Sequence, residues 1–348
     1  MEEECAGGMR SIVPPGGEDA GALEAMRSMF GPDVTFLGVP RADKSDVDQL
    51  RAADVVIVGA PFDSGTSYRS GARFGPSAIR KGDAQPQTPR RPHLELGVDP
   101  FNVLSVVDVG DALMPPGYIE ESHRNLREVV ARIAAAGSVP VVLGGDHSIA
   151  YPDISGVADH FGFGKIGVLH FDAHPDTWNT EFGMLYGHGT PMRRLIESGA
   201  VIGERFVQIG IRGYWPDRRL QEWMRDHGMS WYDMAAIDEL GLHGCLSAAF
   251  ELVLDGTDGV FLSIDIDVVD PSFAPGTGTP EIGGLTSRQL LTAVRRCALE
   301  LPVVGADVVE VSPPYDSPGE ITAFLANRVV LELLSGIGAR RIRSTIDR

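Results

Sequence analysis

The feature of this sequence that most constrains its fold is a regular alternation of short apolar runs with longer segments of helical character. The apolar runs are rich in β-branched residues and occupy Val55–Ala60, Val103–Gly110, Val139–Gly144, Ile166–Asp172, Phe206–Gly213, Gly259–Asp265 and Val303–Glu310. Near-continuous apolar strands that alternate with helices are typical of a parallel sheet covered on both faces. The pattern therefore predicts an α/β protein with three layers, α/β/α, around a central, mostly parallel sheet.

The helical segments fill the gaps between these strands. Candidates are Ile119–Ala136, Thr190–Ser198, Arg218–His227, Ser247–Asp255, Ser287–Leu299 and Ala323–Leu334. No linker interrupts the alternation, so we predict one domain over residues 51–340. Residues 1–50 contain Gly, Pro and acidic residues and one short helical candidate, Ala20–Phe30. We expect them to form an N-terminal extension that is partly flexible and partly packed on a neighbouring subunit.

Charge and cysteine usage limit the classes of function. The chain of 348 residues has 30 Lys plus Arg and 48 Asp plus Glu, a net charge of −18. Such a charge repels nucleic acid and is compatible with a cationic substrate. The three cysteines, Cys5, Cys245 and Cys297, have no metal-type spacing and favour a reducing compartment. We see neither a run of about 18 apolar residues nor a signal peptide, and we predict a cytoplasmic protein with no membrane partner.

Polar residues follow several of the predicted strands at the point where each strand ends. The motifs are Gly144-Gly145-Asp146-His147-Ser148, Asp172-Ala173-His174-Pro175-Asp176, Asp265-Ile266-Asp267 and Val309-Glu310-Val311. Side chains at alternate positions of a strand point to the same side, and ligands of parallel sheets bind at the carboxyl ends of the strands. We therefore expect these residues to line one cavity.

The composition of this cluster indicates a metal site. Two imidazoles and four carboxylates form a hard, mixed N/O environment that suits Mn²⁺ and, less selectively, Zn²⁺, Co²⁺ or Ni²⁺. These six candidates are His147, Asp172, His174, Asp176, Asp265 and Asp267. Six side chains are too many for one ion, whereas two ions that share bridging carboxylates would use them all. We predict two divalent ions per chain, with Mn²⁺ preferred and Ni²⁺ as the alternative.

The same motifs resemble the signatures of the ureohydrolase family, which includes arginase and agmatinase. The resemblance rests on residues 144–148, 171–177, 263–281 (SIDIDVVDPSFAPGTGTPE) and 309–316 (VEVSPPYD), and it extends from about Val55 to Leu334. The segments ARFGPSAI (72–79) and GHGTP (187–191) are most similar to the agmatinase-like branch. The resemblance implies an arginase-like fold, a binuclear Mn²⁺ centre, a homo-trimer or homo-hexamer, and hydrolysis of a guanidino group to urea.

The resemblance also implies roles for individual residues. His147, Asp172, Asp176 and Asp265 would hold one ion, and Asp172, His174, Asp265 and Asp267 would hold the other, so that Asp172 and Asp265 bridge the two. Asp176 would accept a proton from the attacking water. His188 matches the proton-shuttling histidine, and Glu310 stands where the family pairs with the substrate guanidinium. The other histidines, including His123 and His170, fit no ligand spacing and receive no role.

The substrate is less constrained than the reaction. The positions with which arginases read the amino-acid end of their substrate correspond here to Trp178 and Met184, which favour an apolar linker. We therefore predict a substituted guanidine other than arginine: an agmatine-like compound or, as alternatives, 4-guanidinobutyrate or an N-alkylated guanidine or biguanide. The sequence departs from agmatinases at Pro175 and Trp178, which weakens the case for agmatine itself.

Two other functions compete with this interpretation. The first is a non-catalytic subunit that stabilises an active paralogue in a hetero-oligomer, although the complete ligand set speaks against it. The second is an amide-hydrolysing deacetylase of related fold, which the SIDID motif fits poorly. Urea release and metal content would distinguish the first from an enzyme, and acetate release would reveal the second.

Overall fold

The computed structural model describes residues 34–83, 90–214 and 216–346, and its central element is one eight-stranded sheet. The strands are β1 (Val55–Ala60), β2 (Val106–Asp111), β3 (Val139–Gly144), β4 (Ile166–Phe171), β5 (Phe206–Ile209), β6 (Ser230–Tyr232), β7 (Gly259–Asp265) and β8 (Val303–Val309). Their order across the sheet is β2-β1-β3-β8-β7-β4-β5-β6, and every pair of neighbours is parallel.

Helices connect the strands and cover both faces of the sheet. In chain order they are α1 (Val47–Arg51), α2 (Gly75–Lys81), α3 (Pro100–Val103), α4 (Ile119–Ala135), α5 (Ala150–Phe161), α6 (Pro191–Ser198), α7 (Arg218–Asp226), α8 (Met234–Leu254), α9 (Ser287–Glu300) and α10 (Ile321–Ile346). The pair α4 and α5 packs together, as does the pair α9 and α10. The predicted three-layer α/β/α fold is confirmed.

Strand β1 illustrates why the strands have continuous apolar sequences. Val55 and Ile57 belong to the core cluster that contains residues of α9 and α10. Val56 and Val58 point the other way and pack in the cluster that contains residues of α4 and α5. The pleat sends successive side chains to opposite faces, and both faces are covered here, so every position must be apolar. Each fully buried Val or Ile contributes roughly 1.5–3 kcal/mol relative to exposure.

Some elements differ from the sequence prediction. The apolar run that begins at Phe206 is a strand only to Ile209, and β6 is a three-residue edge strand that the pattern did not indicate. Helix α5 was also missed, because Pro152 and Gly156 lower its helix propensity. Pro152 lies in the first turn, where its missing N–H costs nothing, and Gly156 lets α4 approach closely: a Cβ there would lie 2.9 Å from the Arg127 carbonyl oxygen.

Two further helices are longer than predicted. The segment predicted to begin at Ser247 starts at Met234, where the Asp233 side chain caps it, and it contains a non-helical residue at Gly241. Within α10, Ile321–Thr345 has the length and composition of a membrane span, with a mean hydropathy of 1.4, although no such run was expected. Because 72% of its most apolar window is buried inside the fold, its hydropathy is that of a core helix. The helical candidate Ala20–Phe30 and most of the predicted extension lie outside the described residues.

Candidate metal centre and active site

The candidate site lies at the carboxyl ends of four adjacent strands in the middle of the sheet. These strands, in the order β3-β8-β7-β4, are followed by His147, Glu310, Asp265 and Asp172 respectively. After β3 the backbone at Gly145 passes close to the backbone at Phe62. Only glycine fits there, because a Cβ at position 145 would lie 2.2 Å from the Phe62 carbonyl oxygen. The structure thus brings together the side chains that the sequence placed at separate strand ends.

His147 lies at the centre of the first group of candidate ligands. Its Nδ1 is 3.1 Å from Asp172 Oδ2, 3.0 Å from Asp176 Oδ2 and 3.1 Å from Asp265 Oδ2. Its Nε2 lies 3.0 Å from the Ser263 hydroxyl, and that hydroxyl in turn donates to Asp307. Since the hydroxyl hydrogen is used by Asp307, Nε2–H donates to Ser263, and the lone pair of Nδ1 faces the three carboxylates.

His174 organises the second group. Its Nδ1 is 3.0 Å from Asp267 Oδ2 and 3.4 Å from Asp172 Oδ1. Asp172 therefore takes part in both groups, which is the position required of a bridging carboxylate. Two clusters have candidate ligand atoms within 4.8 Å of one another: the first consists of His147, His170, Asp172 and Asp176, and the second of Asp172, His174 and Asp267.

The hydrogen bonds of three carboxylates show which oxygen atoms remain for a cation. Each of these carboxylates accepts a hydrogen bond from a backbone N–H at its Oδ1 atom. Asp172 accepts from His174 (2.6 Å), Asp265 accepts from Asp267 (2.8 Å) and Asp267 accepts from Ala173 (3.2 Å). The Oδ2 atom of Asp267 and the Nδ1 atom of His147 are buried without a hydrogen-bond partner. Buried acceptors of this kind are costly unless positive charge lies between them. The donor set therefore fits a pair of divalent cations.

The pKa shifts of the candidate ligands also indicate that this cluster of carboxylates is stabilised by positive charge. Burial alone lowers the pKa of His147, but contacts with Asp172, Asp176 and Asp265 raise it well above its ordinary value. Burial raises the pKa of Asp265 well above normal, and the neighbouring Asp267 and Asp172 raise it further. Burial likewise lowers the pKa of His174, and Asp267 and Asp172 overcome that effect. In the absence of a metal the cluster would hold protons instead, since its carboxylates repel one another.

Glu310 and His188 form a buried pair beside the candidate ligands. Oε1 of Glu310 accepts from the His147 backbone N–H at 2.8 Å and lies 2.9 Å from His188 Nδ1. Its Oε2 is buried and has no hydrogen-bond partner. Both Glu310 and Asp176 have a positive φ, 61° and 50°, a strained conformation for residues with a side chain. Both carboxylates face the site, since Glu310 Oε1 contacts His188 and Asp176 Oδ2 contacts His147.

A cavity of about 210 Å³ opens over this cluster. Its wall includes Asp176, Trp178, Glu181 and His188 among the described residues. Trp178 therefore lines the cavity, whereas Met184 is 41% exposed on a hairpin and is not among the lining residues. Glu181, which the sequence analysis did not single out, adds a carboxylate to a wall that was expected to be apolar.

His170 was also missed by sequence reasoning. Its Nε2 lies 2.9 Å from Asp172 Oδ2, and its Nδ1 lies 2.9 Å from the side-chain nitrogen of Gln208. The signal was present, because His170 precedes Asp172 by two residues and so faces the same side of the strand. By contrast, His123 pairs with the Ser148 hydroxyl outside the cluster, and burial lowers its pKa to about 3.

Comparison with known proteins agrees with this geometry. A sequence profile described as "Arginase family" matches residues 53–336. The mitochondrial agmatinase of Gallus gallus is 43% identical over 81% of this chain and 80% of its own length. The guanidinobutyrase of Pseudomonas aeruginosa is 38% identical over 88% of this chain and 92% of its own length.

Solved structures share the fold. The proclavaminate amidinohydrolase of Streptomyces clavuligerus has a TM-score of 0.78 and 38% identity, covering 88% of this chain and 97% of its own. The formiminoglutamase of Trypanosoma cruzi, solved with Mn²⁺, has a TM-score of 0.74 and 28% identity, covering 83% and 94% of the two chains. The predicted resemblance is confirmed, and the chain belongs to the arginase family.

Proposed function

We propose that this chain is a binuclear-metal amidinohydrolase that hydrolyses a small, agmatine-like guanidino compound to urea and an amine. The observation that carries the proposal is the cluster of two histidines and four carboxylates, in which His147 Nδ1 and Asp267 Oδ2 are buried without a hydrogen-bond partner. Membership of the arginase family, with agmatinase and guanidinobutyrase among the relatives, supports hydrolysis of a C–N bond in a linear amidine.

The residues present fit two cations per chain. His147, Asp172, Asp176 and Asp265 would hold one, and Asp172, His174, Asp265 and Asp267 would hold the other. Imidazole and carboxylate ligands favour Mn²⁺ among the common ions, with Ni²⁺ as the alternative, and the Trypanosoma cruzi relative was solved with Mn²⁺. When bound, such a pair of cations supplies the Lewis acidity that activates water and stabilises the negative charge developing in the reaction.

Glu310 is suited to bind and orient the guanidinium. Its Oε1 is held by the His147 backbone and by His188, so the unpartnered Oε2 is the atom left for a substrate N–H. A carboxylate matches the charge and the planar N–H geometry of a guanidinium group. Because the Glu310 backbone is fixed in a strained conformation, the substrate carbon would be held in one position above the cluster.

Asp176 and His188 are suited to move protons. Asp176 lines the cavity, so its carboxylate can take a proton from the attacking water and deliver it to the departing amine. His188 is buried except for the edge that lines the same cavity. Burial lowers the pKa of His188, whereas Glu310 and Glu181 raise it further than burial lowers it, so the ring readily accepts a proton. Exchange with solvent would therefore pass through His188.

The test is metal analysis combined with urea release by the purified chain. We expect about two ions per chain and metal-dependent urea production from agmatine-like guanidines. Asp265→Ala removes the carboxylate shared by both ions and should lower metal content and urea release together. Asp238→Ala, which removes an exposed carboxylate from α8, is the matched control. Retention of metal and activity in Asp265→Ala would contradict the proposal.

The alternatives remain testable with the same preparation. A guanidinobutyrase or a hydrolase of an N-alkylated guanidine or biguanide would differ in the best substrate of a urea-release panel. A non-catalytic subunit of a hetero-oligomer would lack the expected metal content and would release urea only with its paralogue. We further propose a homo-trimer or homo-hexamer in the cytoplasm, with residues 51–340 as the catalytic domain and residues 1–50 as an extension.

A further inference from the structure

A tight hairpin holds the carboxylate of Glu181 in the cavity wall. The backbone N–H and carbonyl groups of Glu181 and Met184 bond reciprocally, at 2.9 and 2.8 Å. The two residues between them, Phe182 and Gly183, both have a positive φ, 49° and 83°, as a two-residue hairpin turn requires. In addition, Oε2 of Glu181 accepts from the Gly189 N–H at 3.1 Å. The position of this carboxylate is therefore fixed by backbone groups.

The loop beside the hairpin is shaped to accommodate the carboxylate. At Gly187, a Cβ would lie 2.3 Å from Oε2 of Glu181, so any other residue there would displace the acid. The side chain of Glu181 is only 16% exposed, and what is exposed lines the cavity. Gly187 and the hydrogen bond from the Gly189 N–H therefore hold Glu181 in a buried position that a glutamate on the protein surface would not require.

His188 does not use up this carboxylate. Its Nε2 accepts from the Ser67 backbone N–H at 3.1 Å and lies 2.7 Å from the Ser67 hydroxyl, while Nδ1 contacts Glu310. Oε1 of Glu181 is 3.5 Å from Nε2, beyond a good hydrogen bond. Oε1 therefore makes only a long ion-pair contact with His188, and Glu181 lines the cavity.

The charges around the cavity are one-sided. Among the described lining residues, Asp176, Glu181 and Asp265 are acidic, and there is no lysine or arginine. Two arginines close in sequence to Ser67 are held by other groups. Arg69 lies over the rings of Tyr68 and Tyr315, and Arg73 pairs with Asp63. A substrate carboxylate near Glu181 would therefore meet an acid, with no lysine or arginine among the described lining residues.

We propose that Glu181 binds the far end of the substrate, and that this end carries a second cationic, N–H-bearing group rather than a carboxylate. The group would be an ammonium or an amidinium, which can donate to Oε1 and neutralise the acid. This inference rests on the proposed function and narrows it. It favours agmatine-like amines and biguanides over guanidino acids such as 4-guanidinobutyrate.

The experiment compares Glu181→Gln with the wild-type holoenzyme on three substrates of similar length. Agmatine carries a cationic end, 4-guanidinobutyrate an anionic end and butylguanidine a neutral end. Glu128→Gln, which removes one exposed carboxylate from α4, is the matched control. We expect the wild type to prefer agmatine to 4-guanidinobutyrate, and Glu181→Gln to lower that ratio of kcat/KM about tenfold, the effect of one lost charge contact.

Butylguanidine separates recognition from a structural role. Because Glu181 also raises the pKa of His188, Glu181→Gln should lower kcat/KM somewhat on all three substrates. If Glu181 binds the cationic end, the loss should be about tenfold greater for agmatine than for butylguanidine, since the neutral substrate makes no charge contact. An equal loss on all three substrates would mean that Glu181 acts through His188, and would overturn the proposal. An unchanged ratio of agmatine to 4-guanidinobutyrate would overturn it as well.

Binding of 1,4-diaminobutane, measured by calorimetry, keeps this inference distinct from the proposed function. If no guanidino compound yields urea, the proposed function fails, but the diamine should still bind about tenfold more weakly to Glu181→Gln. Equal binding by both proteins would show that Glu181 recognises no cation.

Discussion

The side-chain amide of Gln208 determines which ring nitrogen of His170 carries the proton. The Gln208 nitrogen lies 2.8 Å from the Pro175 carbonyl oxygen, which only a donor can approach, and 2.9 Å from His170 Nδ1. His170 Nδ1 is therefore an acceptor, and the hydrogen resides on Nε2, which faces Asp172 Oδ2 at 2.9 Å. A protonated Nε2 cannot be a metal ligand, so His170 positions the Asp172 carboxylate instead.

Replacing Gln208 by Glu should weaken metal binding. A carboxylate cannot donate to Pro175 or to His170, so the ring hydrogen would move to Nδ1 and Asp172 would lose its donor. We expect metal affinity to fall by about 10- to 100-fold, the usual effect of losing an outer-shell partner. Competition titration with a chromogenic chelator measures it, and Gln221→Glu, on α7 away from the cluster, is the control. Wild-type affinity in Gln208→Glu would refute this role.

Metal affinity should rise with pH through the neutral range. Without metal, the carboxylates raise the pKa values of His147 and His174 well above the ordinary value, so both rings hold protons near pH 7. Because metal binding must displace those protons, apparent affinity increases as the pH rises and falls as the pH drops. Titration in weak buffer should show proton release on metal addition. An affinity that is constant between pH 6 and 8, to within about twofold, would contradict the assignment.

Asparagine at position 188 should reduce turnover more than substrate binding. The amide keeps a polar side chain between Ser67 and Glu310 but cannot exchange a proton near neutral pH. We expect kcat to fall by about 10²- to 10⁴-fold with a small change in KM, as for loss of a general acid–base group. Steady-state urea release checks this result, and unchanged metal content would establish that the cluster is intact. A kcat within about threefold of wild type would exclude a proton-transfer role for His188.

A buried ion pair far from the chemistry gives a stability prediction. Arg80 is buried and binds both oxygen atoms of Asp108, at 2.9 and 3.0 Å. Arg80→Met would leave the Asp108 carboxylate buried beside two backbone N–H groups only. We expect the free energy of unfolding to fall by about 3–5 kcal/mol.

Urea-induced unfolding of the metal-free chain measures that change. The exposed pair of Arg51 and Asp48 is the control, and Arg51→Met should cost less than about 1 kcal/mol. Asp108→Asn should restore part of the stability lost in Arg80→Met, because it removes the uncompensated charge. Equal effects of the two arginine substitutions would show that burial adds nothing at Arg80.

The fold was predictable because both faces of the sheet are buried. Strand β7 is apolar from Gly259 to Leu262, and its polar residues, Ser263 and Asp265, lie toward its carboxyl end. That change in polarity marks the site in the sequence. By contrast, β6 lies at the edge and is half-buried throughout, so it carries no such mark.

Residues that act through other residues were harder to predict. Gln208 lies on β5, and no local pattern links it to His170 on β4; only the register of the sheet, which pairs these two residues, brings them together. Glu181 likewise enters the cavity because a hairpin folds back at Phe182 and Gly183. Met184 was expected to contact the substrate because of its distance along the chain from His188, and that expectation did not take the hairpin into account.

The order of the strands has a consequence for biosynthesis. Strand β8, which fills the centre of the sheet between β3 and β7, is the last strand of the chain to be translated. In a nascent chain that still lacks β8, the strands β2-β1-β3, which lead to His147, have no strand to join them to β7-β4-β5-β6, which lead to Asp172 and Asp265. The complete set of ligands can therefore assemble only after β8 has been translated, so acquisition of metal would follow the synthesis of β8 rather than that of the ligands themselves.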